Sequence, residues 1–322
     1  MTPDAPTSPE VVTFGETMGL LAADEVGPLR NGHRMVLGVA GSESNVAIGV
    51  RRLGHSVAWT GRVGDDPIGR LVLRELRAEG VDISGAIVDP GAPTGFMLKV
   101  RRTTATSEVI YVRRGSAGSR LRPADVDAGL IGSARVLHVT GITPALSDTA
   151  HQAVLRAVEV AKAGNVTISL DVNHRTALWT DPQASAVLID LVKRCDLLFA
   201  SENEAALVVG PRGCEDAARA LADLGPRHVV VKRGDLGYAA WIDGELYTAP
   251  AVPVPVADTV GAGDAFVAGY LASWLEGATA AEALQTANLA GAFVVAVPGD
   301  WEGLPTRAEL TAFSNRTDAV TR

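Results

Sequence analysis

Cysteine is nearly missing from this chain of 322 residues: Cys195 and Cys214 are the only two, far apart and without CxxC spacing. That excludes a disulfide framework and a cysteine zinc site, and it points to a reducing cytoplasm. No apolar run approaches the length of a membrane helix, and the opening MTPDAPTSPE has neither the basic start nor the apolar stretch of a signal peptide. The expectation is a soluble, cytoplasmic protein with no membrane partner. Positive charge is in deficit, with 29 Lys and Arg against 37 Asp and Glu and a net charge of -8. This argues against nucleic acid as a partner held by phosphate neutralisation. Aromatic residues amount to 5% and are not interleaved with basic ones, so no stacking platform for single strands is present. The histidines show neither HxxxH nor HExxH spacing, which disfavours a histidine metal site, and no GxxxxGK[S/T] occurs, which excludes a P-loop.

What is present is a chain 47% hydrophobic, ample for a large core. From Ser42 onward, short apolar runs at Val57–Thr60, Val136–Val139, Val166–Asp171, Leu197–Ala200 and Val229–Lys232 alternate with stretches of helical period. That is the pattern of βα units around a mostly parallel sheet. Asp66-Pro67 is a good helix start, an N-capping carboxylate followed by a residue with no amide to satisfy. Residues 11–37 and 93–114 break the pattern with short alternating strands, Thr94–Val100 and Glu108–Val112 among them. They predict a small antiparallel sheet acting as a lid, formed by about 15–37 and 93–114, over the strand ends where open α/β sheets bind ligands. A further hairpin is expected to turn at Asp243-Gly244. The whole chain, 1–322, reads as one domain with residues 1–10 and 314–322 frayed.

The segment DTVGAGDAF (258–266) leads from a Pro-interrupted extended stretch into a helix with Phe266, Tyr270, Leu271 and Trp274 on its apolar face. Free amides at such a helix start, with glycines that let an anion approach the backbone, make a site for a phosphoryl group. An Asp in the first turn is held ionised by the helix dipole, and phosphoryl transfer needs one carboxylate to receive the nucleophile's proton. Gly261, Ala262, Gly263 and Asp264 supply both parts. The same glycines do not match GxGxxG, because residue 266 is Phe, so a dinucleotide dehydrogenase is disfavoured. A glycine turn capped by Asp264 is the plain structural alternative.

DTVGAGDAF is similar to the C-terminal signature of the ribokinase-like (pfkB-type) carbohydrate kinases. GVAGSESNVAIGVRRLG (38–54) with GRVGDDPIG (61–69) resembles that family's other signature, and SLDVNHRTALW, LLFASENEAAL and VVVKRGDLG follow in the family's order. The likeness covers nearly the whole chain. It implies an α/β ribokinase-like fold, and within the family it is strongest to kinases of 2-keto-3-deoxygluconate, through YVRRGSAGS (111–119), LHVTGITPALS (137–147) and DVNHRTALW (171–179).

Carried over, the resemblance implies that Gly41 and Asn45 hold sugar hydroxyls, and that Tyr111, Arg113 and Arg175 reach the keto and carboxylate end of a sugar acid. Arg suits that task, since it pairs with a carboxylate in a planar, bidentate way. Met97 stands where relatives often carry Tyr, and so offers no hydroxyl there. For ATP and Mg²⁺ the resemblance assigns Ser201 and Glu204 to the phosphate and metal region, Glu204 through metal-bound water. Relatives often have Asn where this chain has Ser201. Lys232, Gly234 and Gly237 would line the adenosine side, Asn288 the base, and Asp258 a monovalent cation such as K⁺. Exposed strand edges of the lid invite a homo-oligomer. A kinase for fructose, ribose or adenosine, and a non-catalytic sugar-binding relative, remain as alternatives.

Overall fold

The computed structural model describes residues 8–103 and 107–317. The chain opens with β1 (Val11–Phe14), the hairpin β2 (Met18–Ala23) and β3 (Met35–Ala40), and helix α1 (Ser42–Arg52). β4 (Val57–Thr60) and β5 (Arg62–Gly64) lead into α2 (Pro67–Ala78), and β6 (Ile87–Asp89) into the hairpin β7 (Phe96–Arg101) and β8 (Ser107–Val112). Then come α3 (Ala128–Gly132), β9 (Val136–Thr140), α4 (Asp148–Ala163), β10 (Thr167–Asp171), α5 (Asp181–Val192) and β11 (Leu197–Ser201). They are followed by α6 (Glu202–Val209), α7 (Cys214–Ala222), β12 (His228–Lys232), and the hairpin β13 (Tyr238–Ile242) and β14 (Glu245–Ala249). Helices α8 (Ala262–Leu275), α9 (Ala280–Val295) and α10 (Arg307–Thr317) complete the described chain.

Eight strands form the main sheet in the order β14-β13-β12-β11-β10-β9-β1-β4. From β12 to β4 every pair is parallel, and the β13–β14 hairpin closes the other edge antiparallel. Alternation along the strands builds two cores: Val12, Leu198, Val229 and Val231 pack under α4, α5 and α7, while Val11, Phe199 and Val230 pack under α1, α8 and α9. Each buried aliphatic side chain contributes roughly 1.5–3 kcal/mol over exposure, so it is the two-sided covering that holds the sheet. The β13–β14 turn forms at Asp243 (φ 50) and Gly244 (φ 91), both left-handed as a type I′ turn requires. Asp66 caps α2 by accepting the Gly69 amide at 2.7 Å, with Pro67 as the first helical residue.

The second sheet has the order β3-β2-β7-β8. Each of its hairpins is antiparallel, and they join through the parallel pair β2–β7, where Leu20 faces Met97. Met18, Leu20, Ala40 and Met97 bury its inner face, while Val36, Leu37, Ile110 and Val112 are exposed.

One expectation needs correction. Val11–Phe14 does not belong with the lid strands but runs parallel between β4 and β9 in the main sheet. All four of its residues are fully buried, the mark of a central strand covered on both faces rather than an alternating one. At the chain ends, Pro9 is buried, Glu10 accepts the Ser56 amide at 3.2 Å, and α10 runs to Thr317. The remainder of the expected frayed ends lies outside the described residues. No helix of the described residues is long and apolar enough to cross a membrane.

Candidate active site

The parallel strands end on one edge with Thr140, Asp171, Ser201 and Lys232, and the functional side chains gather there. This is the edge where open α/β sheets place ligands. Helix α8 starts at the same edge. Its N-cap, Gly261, has φ 77, and a Cβ there would fall 1.9 Å from the Asp300 carbonyl oxygen, so glycine is required for both backbone and space. No side chain caps α8; the Ala262 amide donates to the Thr259 carbonyl at 3.4 Å, and the other amides of the first turn have no side-chain acceptor.

Asp264 lies in that first turn and is buried. Its Oδ1 accepts the Ser42 hydroxyl at 2.7 Å and its Oδ2 accepts the Asn45 amide at 2.8 Å. Asn173 donates to Ser42 Oγ at 2.8 Å, so a relay from the end of β10 through α1 orients the carboxylate. Asn45 also donates to Asp300 Oδ1 at 3.0 Å. Burial raises the Asp264 pKa above the ordinary range, with the hydrogen bonds from Ser42 and Asn45 and the charges of Lys232 and Arg175 acting against it. Asp300 is pushed up to about 7 by burial and by the neighbouring Asp264 charge. A carboxylate fixed by two donors and facing a cavity is equipped to take a proton from a hydroxyl placed against it.

That cavity, about 160 Å³, is lined by Gly41, Asn45, Met97, Tyr111, Arg113, Arg175, Gly261 and Asp264. All the residues expected around a sugar thus line one cavity. Gly41 is close-packed: a Cβ would meet the Glu16 carbonyl oxygen at 2.7 Å. Asn45 differs from expectation, because its amide nitrogen is spent on the two aspartates, and its buried Oδ1 alone is left without a partner. The two arginines also differ. Arg113 is buried and ion-paired with Glu16 at 2.5 Å, its guanidinium 5.6 Å from the Tyr111 ring, whereas Arg175 is exposed at the rim and forms no ion pair among the described residues.

Ser201, Glu204, Gly234, Gly237 and Asn288, expected around the nucleotide, are not among the residues that line this cavity. Glu204 accepts the Ser201 amide at 2.7 Å and the His174 amide at 2.8 Å, while Ser201 caps α6, so the pair clasps the end of β11 to the loop after β10. Gly237, with φ 90, passes so close to β14 that a Cβ would stand 2.0 Å from the Ala249 carbonyl oxygen. Gly234 has φ 58. Asn288 donates to the Pro250 carbonyl at 2.9 Å, tying α9 to the segment after β14.

Lys232 is a correction. Expected with the glycines of its loop on the adenosine side, it turns inward instead, as the last residue of a strand whose side chains alternate. Its Nζ donates to Asp171 at 2.8 and 3.0 Å and lies 3.3 Å from where a Cβ on Gly263 would be. Burial pushes Asp171 up to about 6, and Lys232, despite burial, is held protonated by Asp171, Glu204 and Asp264. The ammonium therefore stands beside the glycine turn at the head of α8.

Sequence reasoning missed Ser42, Glu43, Glu16, Lys99, Asn173 and Asp300. Of these, Ser42 sits inside the quoted GSESN segment, next to residues that were singled out, and its hydroxyl beside Gly41 was the available signal. Asp258 accepts the Val260 amide on Oδ1 at 3.2 Å and the Lys99 ammonium on Oδ2 at 2.6 Å. A second hollow, about 510 Å³, opens between the start of α7 and the β13–β14 hairpin and shares no residue with the cavity at Asp264. Among the described residues no group of His, Cys, Asp or Glu is arranged to hold a metal by itself.

An α/β sheet with a lid-like second sheet, an open helix start and an oriented carboxylate at the sheet edge define an ATP-dependent carbohydrate kinase. Residues 8–307 match the model of the pfkB family of carbohydrate kinases, and the chain belongs to that family. It is 41% identical to 2-dehydro-3-deoxygluconokinase of Thermoproteus tenax over 93% of this chain and 92% of that protein. It is 38% identical to the enzyme of the same name from Bacillus subtilis, over 94% and 95% of the two chains. Among solved structures it resembles a PfkB protein from Polaromonas sp. JS666 (TM-score 0.87, 37% identity, 95% of this chain and 100% of that one). It also resembles an E. coli ribokinase II candidate in complex with ATP and Mg²⁺ (TM-score 0.88, 28% identity, 96% and 99%). A third is a Vibrio cholerae fructokinase bound to fructose, ADP and potassium ion (TM-score 0.81, 26% identity, 95% and 99%).

Proposed function

We propose that the protein moves the terminal phosphoryl group of ATP to the terminal hydroxyl of 2-keto-3-deoxygluconate. The observation that carries this reading is Asp264, held by Ser42 and Asn45 at the head of α8 and facing the same cavity as the exposed cation Arg175. The relatives named above support the choice of sugar. In the reaction Asp264 accepts the hydroxyl proton, the sugar oxygen bonds to the γ-phosphorus, and the bond from that phosphorus to the ADP oxygen breaks. The amides of residues 261–263 and the Lys232 ammonium face the charge that develops on the moving group.

Arg175 takes the substrate carboxylate. Arg113, neutralised by Glu16, braces the Tyr111 ring and the cavity wall. The free Oδ1 of Asn45 and the Asp300 carboxyl receive sugar hydroxyls, and Met97 supplies apolar contact. Mg²⁺, when bound with the nucleotide, neutralises phosphate charge, and Glu204, with both oxygens on amides, suits a ligand that acts through water. Gly234, Gly237 and Asn288 border the adenosine. The second sheet closes over the sugar and excludes water, and its exposed Val36, Leu37, Ile110 and Val112 favour association of two copies there, in the cytoplasm.

ADP release with MgATP over keto-deoxy sugar acids, fructose, ribose and adenosine tests this. Turnover of 2-keto-3-deoxygluconate well above the neutral compounds is the expected result. Turnover confined to the neutral compounds would overturn the sugar-acid assignment, and no turnover with any of them would favour a binding protein.

A further inference from the structure

We propose that Lys99 is a built-in cation for the turn that carries the anion site, so that the charge behind residues 258–261 comes from the chain itself and not from a bound monovalent ion. The inference rests on the kinase reading of the site and adds to it.

Lys99 belongs to β7 of the second sheet, and its side chain reaches across to the main body, where it is 5% exposed. Its Nζ stands 2.6 Å from Asp258 Oδ2. The other oxygen of the same carboxylate holds the Val260 amide at 3.2 Å, and the backbone amides of Ala257 and Asp258 donate to the Val295 carbonyl at 2.7 and 3.2 Å. Asp258 is thereby fixed from three sides: by α9 through its backbone, by Val260 through Oδ1 and by Lys99 through Oδ2. Val260 and Gly261 line the cavity with Lys99 itself. A monovalent ion taking this carboxylate would have to displace a buried ammonium already in contact with it, so Asp258 does not fit the role of ion ligand that the resemblance implied.

The pair has a second consequence. Lys99 is on the lid-like sheet and Asp258 opens the loop that ends in the anion turn, so the position of that sheet and the geometry of the turn are joined by one contact. A buried lysine also needs a counter-charge wherever the chain puts it. A purely structural pair would cost stability when broken, but nothing added to solution would replace its effect on catalysis.

Charge rescue separates the two cases. Wild type, Lys99→Ala and Lys99→Arg are assayed with MgATP and the sugar acid in potassium, ammonium, methylammonium or tetramethylammonium chloride at equal ionic strength, and their melting temperatures are read in the same salts. Wild type is expected to vary by no more than about twofold among the salts, the scale of ordinary screening. Lys99→Ala is expected to lose at least about tenfold in kcat, as when one preorganised electrostatic contribution is removed. Potassium, ammonium or methylammonium, but not tetramethylammonium, should restore much of that loss and raise the variant's melting temperature, while Lys99→Arg stays close to wild type.

Saturable activation of wild type by potassium, with a matching rise in its melting temperature, would overturn the proposal. So would a Lys99→Ala protein, folded by near-ultraviolet circular dichroism, that retains full activity or that no small cation restores. The melting readout needs no sugar. Cation-specific stabilisation of Lys99→Ala alone would uphold this inference even if every sugar acid proved inert and the substrate reading fell.

Discussion

The two ends of the cavity are built on opposite principles. At the base end, Asp264, Ser42, Asn45, Asn173 and Asp300 form a buried chain in which nearly every polar atom already has its partner. At the rim, Arg175 stands exposed on the loop after β10, with no ion pair among the described residues. The difference teaches that the base end is preorganised by the fold at the cost of burying carboxylates, while in the proposed function selection of the acceptor falls to an exposed side chain at the rim. Arg113 shows what a rim arginine becomes once the protein supplies its own counter-ion: a wall.

The comparison can be broken first at the base. Asp264→Asn keeps one acceptor oxygen, turns an NH2 toward the other of the two donors and removes the proton acceptor, and kcat should fall by about 10³-fold, within the range for a lost general base. The sugar KM should move little, as steady-state assays would show. A variant near the wild-type rate would mean that Asp264 is only a cap.

At the rim the split should invert. Arg175→Met should raise KM for the sugar acid by about 10- to 100-fold, the scale of a lost charge-assisted hydrogen bond, with a smaller change in kcat. Arg113→Met should instead show in thermal melts as well as in kinetics, because it strands Glu16 without its partner, at a cost of roughly 3 kcal/mol. Equal kinetic losses with unchanged melting in both variants would erase the distinction between the two arginines.

The smallest effect measures what burial costs at the base end. Glu43, on the first turn of α1, accepts both Thr140 and Thr143 hydroxyls, yet burial pushes its pKa from 4.5 to about 7. A folded pKa above the unfolded one means that its contribution to stability is full below the unfolded value and is lost as pH rises through the folded one. Glu43→Gln stays neutral throughout. Its melting temperature should match wild type near about pH 4 and exceed it by a few degrees near about pH 8, the full shift corresponding to at most about 3 kcal/mol. A gap that does not grow with pH would place the ionisation elsewhere.

Much of this architecture is legible in the amino-acid sequence because it is local. The Asp66-Pro67 cap, the Asp243-Gly244 turn and the glycine start of α8 are each set by neighbours a few residues apart, and the parallel strands announce themselves as apolar runs. β1 was misread because a four-residue strand is too short to separate alternation from full burial when it lies beside a true hairpin. Lys232 was misread because its loop neighbours face outward while strand alternation turns it in. The orienting relay could not be read at all: Ser42 and Asn173 are separated from their partners by 222 and 131 residues, and Asn45 from Asp300 by 255. Spacing along a chain carries no trace of such meetings. The same holds for Glu16, which meets Arg113 across 97 residues and so converts an expected ligand contact into an internal pair.

The contact between Gly261 and the Asp300 carbonyl has a bearing on how this protein can change. Any side chain at 261 must push away the loop that carries Asp300, and with it the second carboxyl at Asn45, so one substitution disturbs the helix start and the acceptor wall together. Mutational routes to a new acceptor therefore run through the rim and the second sheet, where residues can be exchanged singly, and not through the turn.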